Sequence, residues 1–260
     1  MTTTRPVPLP STGIAASVCA VWRIDLDQPP TEAMRARLSP AERARAERFV
    51  FERDRNRHVV AHAALRELLA RRTGRHGVLL DMVETTHGKP VLAAPATPRA
   101  PAPHFNLSHS LGTGLVAVSD THEVGVDVEV LRPMADWAAL ARSYFAPGER
   151  AALARLAARD PLRAEHAFFV CWTRKEACLK ALGLGLGLQL ATDGFEVGVE
   201  GLEGEALDLD IETLEGTERL RLRSFSCTAD AVGALALRIS RDAPRPVSAC
   251  VGTHAMKILS

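Results

Sequence analysis

The chain has 260 residues, with 32 basic and 31 acidic side chains and a hydrophobic content of 47%. This apolar fraction excludes wholesale disorder, and the length allows one large domain or two smaller ones. No stretch approaches the roughly 18 uncharged apolar residues of a membrane span. The five scattered cysteines have no metal-binding spacing. We therefore expect a reduced, cytoplasmic globular protein that does not cross a membrane.

The charges are unevenly distributed along the chain. Twelve arginines and five acidic residues lie between Arg35 and Arg75, whereas residues 193–218 carry ten acidic residues and no Lys or Arg. One region is thus built to face anions. A net charge of +1 and few aromatic residues within the basic segment argue against nucleic-acid binding.

The first half of the chain is predicted to contain a strand, then helices, then further strands. Residues 1–14 carry no apolar segment typical of a secretory signal, so we expect a short disordered lead-in. Ser39, Pro40 and Glu42 form a predicted capping box that opens a helix continuing through Phe49 and Phe51. The other predicted elements are a strand at 15–22, a helix at 59–69, and strands at 79–83 and 104–108.

The second half begins with strands and continues with helices. Strands are predicted at 115–118 and 124–130, helices at 137–144, 147–158 and 162–182, and antiparallel strands around 195, 207, 220–225 and 232–239. Glycines at 183, 185 and 187 end the last helix. This order predicts an α+β fold of two similar halves, residues 15–122 and 123–260.

The pentapeptide Gly125-Val126-Asp127-Val128-Glu129 places two carboxylates on one face of a strand and valines on the other. Two such carboxylates, about 7 Å apart, suit a hard cation such as Mg²⁺. The alternative is an exposed strand edge whose acids are solvated.

A second motif lies on the longest predicted helix. Trp172, Glu176 and Lys180 recur every four residues and share a face with Phe169. A carboxylate and an ammonium group in an otherwise apolar stripe indicate a polar site within a core. The alternative is a surface ion pair beside a core tryptophan.

Two further segments carry candidate anion-binding groups. Asn106-Leu107-Ser108-His109-Ser110 follows a strand and offers a hydroxyl and an imidazole, while Lys89 lies in the turn Gly88-Lys89-Pro90. A Ser-His nucleophile pair is disfavoured because adjacent residues rarely face one another and no G-x-S-x-G elbow is present. A single lysine in a turn can also be simply solvated.

In this order and spacing, these segments resemble the 4'-phosphopantetheinyl transferase superfamily of the surfactin-synthetase-activating (Sfp) type. The family pattern is a strand-borne G-[VI]-D-x-E followed by W-[ST]-x-K-E-x-x-x-K. Here the two motifs read Gly125 to Glu129 and Trp172 to Lys180, and the arginine-rich Arg53-Asp54-Arg55-Asn56-Arg57 also matches in style. The resemblance covers roughly residues 39–190.

The resemblance implies two α/β halves related by pseudo-twofold symmetry, with coenzyme A as substrate in the cleft between them. It places Mg²⁺, or Mn²⁺, on Asp127, Glu129 and Glu176. The implied coenzyme A contacts are Arg45, Arg48, Arg57, His58, Lys89, Pro90, Ser108, His109 and Lys180, and which arginine reaches the 3'-phosphate stays open. Glu42 departs from the pattern, since some relatives have lysine there.

The implied reaction transfers the 4'-phosphopantetheine arm of coenzyme A to a serine of an apo acyl or peptidyl carrier protein and releases 3',5'-ADP. Glu176, Lys180 and Asp127 would be catalytic, and the general base would be Glu176, Glu149 or water. The length favours the monomeric two-half type of the family. The alternative from a different class is a module that binds a phosphate ligand without catalysis.

Overall fold

The computed structural model describes residues 6–9, 19–93, 102–184, 194–201 and 206–242. The chain divides into two compact units, Met1–His122 and Glu123–Ser260. Each unit combines helices with an antiparallel sheet, which confirms the predicted α+β class with two halves. Within the described ranges, every helix is too short or too polar to cross a membrane.

Within its described residues, the first unit contains one four-stranded sheet, a small hairpin, three α-helices and a short 3-10 helix at Gly77–Leu79. The sheet has the order β1-β2-β6-β5, and β3 pairs with β4. The strands are β1 (Val7–Pro8), β2 (Cys19–Asp25), β3 (Met82–Glu84), β4 (Pro90–Leu92), β5 (His104–Ser110) and β6 (Thr113–Ser119), and the helices are α1 (Glu32–Arg37), α2 (Pro40–Glu47) and α3 (Glu52–Thr73). Apolar side chains of α3 pack with those of β2, β5 and β6 to form the core of this unit.

One sequence-based expectation for this unit is wrong, and one helix was not predicted. The helix that begins at Ser39 ends at Glu47, and a new helix begins after Phe51. Val50 and Phe51 are 87% and 66% exposed, so these apolar residues do not continue a buried helical stripe. The short helix α1 was not predicted, although Thr31 caps it through a hydrogen bond from the Met34 backbone N–H (3.2 Å).

The start of the chain also differs from expectation where it is described. Val7 and Pro8 form β1 and pair with Arg23 and Trp22, within the segment expected to be disordered. Pairing of this kind joins backbone groups, so side-chain composition gives little signal for it. The remainder of the predicted lead-in, and residues 15–18 of the first predicted strand, lie outside the described residues.

A buried ionic cluster joins α2 to α3. Glu42 completes the predicted capping box by accepting from the Ser39 backbone N–H (2.7 Å), and its carboxylate also accepts from Arg66 Nε (2.6 Å) and His62 Nδ1 (3.2 Å). Arg66, 2% exposed, donates as well to the carbonyl oxygens of Gly77 (2.6 Å) and Leu80 (3.0 Å). Burial raises the pKa of Glu42, but the hydrogen bonds from His62 and Arg66 outweigh it and lower the pKa to about 2.

Glu42→Gln is expected to make the free energy of unfolding less dependent on pH below neutrality. Because the pKa of Glu42 is about 2 when folded and 4.5 ordinarily, its contribution is present above pH 4.5 and is lost as the pH falls towards 2. Glutamine cannot take up that proton. We expect the variant to be less stable at pH 7 by roughly 3 kcal/mol, because buried Arg66 loses its counter-charge, and to lose less stability on acidification.

Urea unfolding followed by circular dichroism at pH 7, 5 and 3 measures this difference. Glu47→Gln, on an exposed position of the same helix, is the control and should behave as the wild type. Parallel pH profiles for the wild type and Glu42→Gln would rule out Glu42 as the titrating group.

In the second unit, one helix packs against a four-stranded sheet of order β7-β10-β9-β8, and two further helices pack against that helix. The strands are β7 (Val124–Val130), β8 (Leu207–Thr213), β9 (Gly216–Thr228) and β10 (Ala231–Ile239), and the helices are α4 (Trp137–Tyr144), α5 (Pro147–Ala157) and α6 (Pro161–Ala181). The strand predicted around Phe195 is wrong, because Phe195 lies in an irregular segment. Gly185 and Gly187 of the predicted helix exit lie outside the described residues.

Asp160 caps the start of α6 by accepting from the Arg163 backbone N–H (3.0 Å), and Pro161 occupies its first turn. Gly183, with φ of 72°, adopts the left-handed conformation that closes the helix. Both ends of α6 are therefore encoded locally, and the helix has a defined length along the sheet.

Candidate active site

Strand β7 presents its carboxylates on the side that α6 covers. Asp127 is 5% exposed and Glu129 is half-buried, while Val126 and Val128 point to the opposite face and are also buried. This alternation follows from the two-residue period of a strand. The interpretation of this segment as a solvated edge is therefore wrong for Asp127.

Gly125 sets how closely α6 approaches β7. A Cβ at this position would lie 2.9 Å from the carbonyl carbon of Lys180, and nearer still to the Ala177 carbonyl oxygen and the Ala181 nitrogen. These atoms belong to the backbone, so they cannot rotate away. Glycine at position 125 thus permits the contact that brings the last turn of α6 over Asp127.

Lys180 reaches Asp127 across this contact. Its Nζ donates to Asp127 Oδ1 at 2.6 Å and to the carbonyl oxygen of Val126 at 3.4 Å. The side chains of Lys180 and Asp127 are 23% and 7% exposed. The two predicted motifs, 53 residues apart, therefore meet in one ion pair.

Glu176 lies one helical turn before Lys180 and is 7% exposed. Burial is the main cause that raises the pKa of Glu176 to about 7, and the negative charges of Asp127 and Glu129 raise it further, while Lys180 lowers it. The charges of Asp127 and Glu129 therefore act on Glu176, which is itself buried. The alternative of a solvated Glu176–Lys180 surface pair is therefore wrong.

These residues fit a hard divalent cation. Carboxylate oxygens are the ligands that Mg²⁺ and Mn²⁺ prefer, and a bound cation would relieve the repulsion among Asp127, Glu129 and Glu176. Among the described ranges, no three His, Cys, Asp or Glu side chains stand together in a ready metal-binding arrangement. The metal assignment stays a prediction, and Lys180 is the cation on Asp127 in this structure.

Glu149, considered above as a possible base, takes part in a different cluster. It is 2% exposed, and it accepts from Lys175 Nζ (2.9 Å) and from the backbone N–H groups of Ala146 (3.0 Å) and Val197 (2.7 Å). Lys175 donates also to the Phe195 carbonyl oxygen (2.6 Å). This cluster ties α5 and the segment around residues 195–197 to α6.

Arg174 adds a second anchor on α6. It is 5% exposed, and its guanidinium donates to Ser224 Oγ (2.7 Å) and to the carbonyl oxygens of Val197 (3.2 Å), Gly198 (3.0 Å) and Gly201. Burial lowers the pKa of Arg174. Sequence reasoning did not assign these roles: Lys175 was recognised only as part of the Trp172 to Lys180 motif, and Arg174 stands at a position that the motif leaves open.

In the first unit, two of the predicted coenzyme A contacts lie on α3. Arg57 forms ion pairs with Asp27 (2.6 Å) and Asp54 (3.9 Å), so its orientation is fixed. His58 is 8% exposed and donates from Nε2 to the Glu42 carbonyl oxygen (3.2 Å). Burial, followed by the charge of His62, lowers the pKa of His58 to about 4, so His58 is neutral at physiological pH.

The other predicted contacts of the first unit are distributed over three elements. Arg45 lies in the last turn of α2 and Arg48 caps it, and both are exposed. Ser108 and His109 follow each other on β5, with Ser108 buried and His109 exposed. Lys89, 8% exposed, precedes Pro90 at the start of β4. Their roles stay predictions.

Arg132 is a residue near the site that the motifs do not contain. It forms an ion pair with Glu129 Oε2 (3.3 Å) and lies over the Phe169 ring, with 5.7 Å from Cζ to the ring centroid. Its place three residues after Glu129, just beyond a strand end, gives no recognisable signal in the sequence.

Comparison with known proteins identifies the class of enzyme. The model of the 4'-phosphopantetheinyl transferase superfamily matches residues 123–236, and the model of the N-terminal part of 4'-phosphopantetheinyl transferases matches residues 27–121. The chain is 38% identical over 168 residues to the 4'-phosphopantetheinyl transferase HetI of Nostoc sp., covering 64% of this chain and 69% of that protein. The chain therefore belongs to the 4'-phosphopantetheinyl transferase superfamily, and it is an enzyme.

Two further relatives come from Bacillus subtilis, and one of them is the transferase Sfp. The chain is 28% identical to a 4'-phosphopantetheinyl transferase over 79% of this chain and 86% of that protein. It is also 28% identical to the 4'-phosphopantetheinyl transferase Sfp, over 66% of this chain and 71% of that protein. The resemblance drawn from the sequence motifs is thus confirmed.

Proposed function

We propose that this enzyme transfers the 4'-phosphopantetheine arm of coenzyme A to a serine of an apo acyl or peptidyl carrier protein, in a reaction that depends on Mg²⁺. The observation that carries the proposal is the group of Asp127, Glu129 and Glu176 beside Lys180 on α6 and β7. Two buried carboxylates and one half-buried carboxylate with one ammonium group suit a cation-assisted reaction at phosphate. Membership of the superfamily supports the same chemistry.

In the proposed reaction, the serine Oγ forms a bond to the β-phosphorus of coenzyme A, and the bond from that phosphorus to the bridging oxygen breaks. The electron pair leaves with 3',5'-ADP, and the serine proton passes to the enzyme. Asp127, Glu129 and Glu176 would hold the cation, which acts as a Lewis acid on the diphosphate. Lys180 would stabilise the negative charge that develops on the phosphate oxygens.

Glu176 is the proposed acceptor of the serine proton, directly or through a water molecule. Glu176 lies one helical turn before Lys180, the residue proposed to contact the phosphates, so its carboxylate is placed near the reacting group. Glu149 is less suited, because both of its carboxylate oxygens already accept hydrogen bonds from Lys175 and backbone groups. We therefore propose a structural role for Glu149.

The first unit would supply contacts to the nucleotide half of coenzyme A. Arg45, Arg48 and Arg57 offer the charge that phosphate binding requires, and Arg57 is already oriented by Asp27. We propose His58, Lys89, Pro90, Ser108 and His109 as further contacts of that half. Arg45 and Arg48 are both exposed at the end of α2, and which of them would contact the 3'-phosphate stays open.

The direct test is to incubate the purified protein with coenzyme A, Mg²⁺ and apo carrier proteins of the fatty acid, polyketide and nonribosomal peptide types. We expect at least one carrier protein to gain the mass of one phosphopantetheine arm, and excess EDTA to abolish the gain. Binding of coenzyme A with no mass gain on any carrier protein would favour the alternative of a binding module. Full activity in EDTA would remove the metal from the mechanism.

A further inference from the structure

The ammonium group of Lys180 binds one carboxylate oxygen of Asp127, a residue that the proposed function assigns to the metal. Nζ of Lys180 lies 2.6 Å from Asp127 Oδ1, in a pair whose carboxylate is almost fully buried. Glu176 is one turn away on the same helix and also feels the charge of Lys180. The lysine therefore already supplies positive charge to the group of three acids.

An ammonium group and a divalent cation cannot share this place without strong repulsion. Charges of the same sign a few ångströms apart repel, and the effect grows where water is excluded. Lys180 already reduces the repulsion among the carboxylates, so a divalent cation stabilises them less than it would in the absence of the lysine. Lys180 lies on a flexible four-carbon stem in the last turn of α6, so it can withdraw from Asp127.

We propose that Lys180 is the internal counter-ion of the metal-free site, and that it competes with the divalent cation for Asp127. This inference rests on the metal assignment of the proposed function. Cation binding then displaces the ammonium group from Asp127 and leaves it available to the phosphates of coenzyme A. Binding of the cation and binding of the diphosphate are coupled through one side chain, so each favours the other.

The test measures Mn²⁺ binding without coenzyme A, by the loss of the free-ion signal in electron paramagnetic resonance. Lys180→Met removes the competing charge, and we expect Mn²⁺ to bind about tenfold more tightly, equivalent to about 1.4 kcal/mol. Lys180→Arg keeps the charge and should bind as weakly as the wild type. Arg163→Gln removes an exposed charge from the first turn of the same helix and should change little.

The outcomes separate this inference from the proposed function. Unchanged or weaker Mn²⁺ binding by Lys180→Met would overturn the competition. Weaker binding would mean that Lys180 holds the metal ligands in place, and unchanged binding would mean that it does not affect the metal. Absence of Mn²⁺ binding by both the wild type and Lys180→Met would overturn the metal assignment and this inference together. Lys180→Met could bind Mn²⁺ more tightly while the wild type shows no transfer activity. That result would support the competition and contradict the proposed transferase function.

Folding is checked independently of binding. Far-UV circular dichroism should be the same for the wild type and Lys180→Met, whereas urea unfolding should show a lower stability for Lys180→Met, because nearly buried Asp127 loses its counter-charge. Should Lys180→Met fail to fold, Lys180→Gln, which also removes the charge but keeps a polar end, carries the same expectation of tighter binding.

Discussion

Asp127→Asn should reduce the rate of carrier-protein loading by about 10²–10³, the usual cost of losing one electrostatic contact to the transition state. Asparagine keeps the shape of the side chain but removes its charge. The variant loses both the ion pair with Lys180 and the carboxylate proposed to hold the cation. Loading is measured by mass spectrometry under initial-rate conditions, together with Mn²⁺ binding, which should also weaken.

Asp210→Asn is the matched control for this experiment. Asp210 lies on β8 of the same sheet and pairs with Arg219 (2.8 Å). The substitution therefore also removes one carboxylate from an ion pair. We expect loading at the wild-type rate in this variant. A wild-type rate in Asp127→Asn itself would refute the role given to Asp127.

Gly125→Ala is expected to have the second large effect, and it acts through the backbone. The added methyl group would meet main-chain atoms of Ala177, Lys180 and Ala181, which forces α6 and β7 apart. Overpacking typically costs about 1–3 kcal/mol, and here the neighbours cannot change rotamer. We expect a loss of stability in this range, measured by urea unfolding, and impaired loading because Lys180 moves away from Asp127.

Gly114→Ala provides the comparison, since Gly114 is also a strand glycine. Its added methyl group would meet only side-chain atoms of Leu26, the nearest at 3.2 Å, and a leucine side chain can adjust. A smaller loss of stability and near-normal loading are expected. Equal effects of the two substitutions would mean that the close contact between α6 and β7 does not require glycine at position 125.

Much of the fold was predictable because local signals agree with the final packing. β7 was predicted with its observed bounds, since its alternation of small or charged residues with valines has a clear period. The capping box at Ser39 was also recognisable from spacing alone. The break between α2 and α3 was not, because Phe49, Val50 and Phe51 continue an apolar pattern although Val50 and Phe51 face solvent.

The site was predictable in its residues more than in its connections. Periodicity placed Asp127 with Glu129, and Glu176 with Lys180, on common faces. It could not show that Lys180 pairs with Asp127, because that contact joins positions 53 residues apart and depends on the packing of α6 on β7. The pairing of Glu149 with Lys175 escaped prediction for the same reason.

The buried contacts of Arg174 and Lys175, the anchors on α6, constrain how this helix can change during evolution. Arg174 and Lys175 lock the rotation of the helix about its own axis by holding carbonyl oxygens and Glu149 on one side. A helix with fixed rotation presents Glu176 and Lys180 in a set direction before any substrate arrives, which lowers the entropic cost of catalysis. Substitutions at these two positions, which directly precede Glu176 in the sequence, would therefore slow turnover without touching a reacting atom, and the anchors and the reactive face must evolve together.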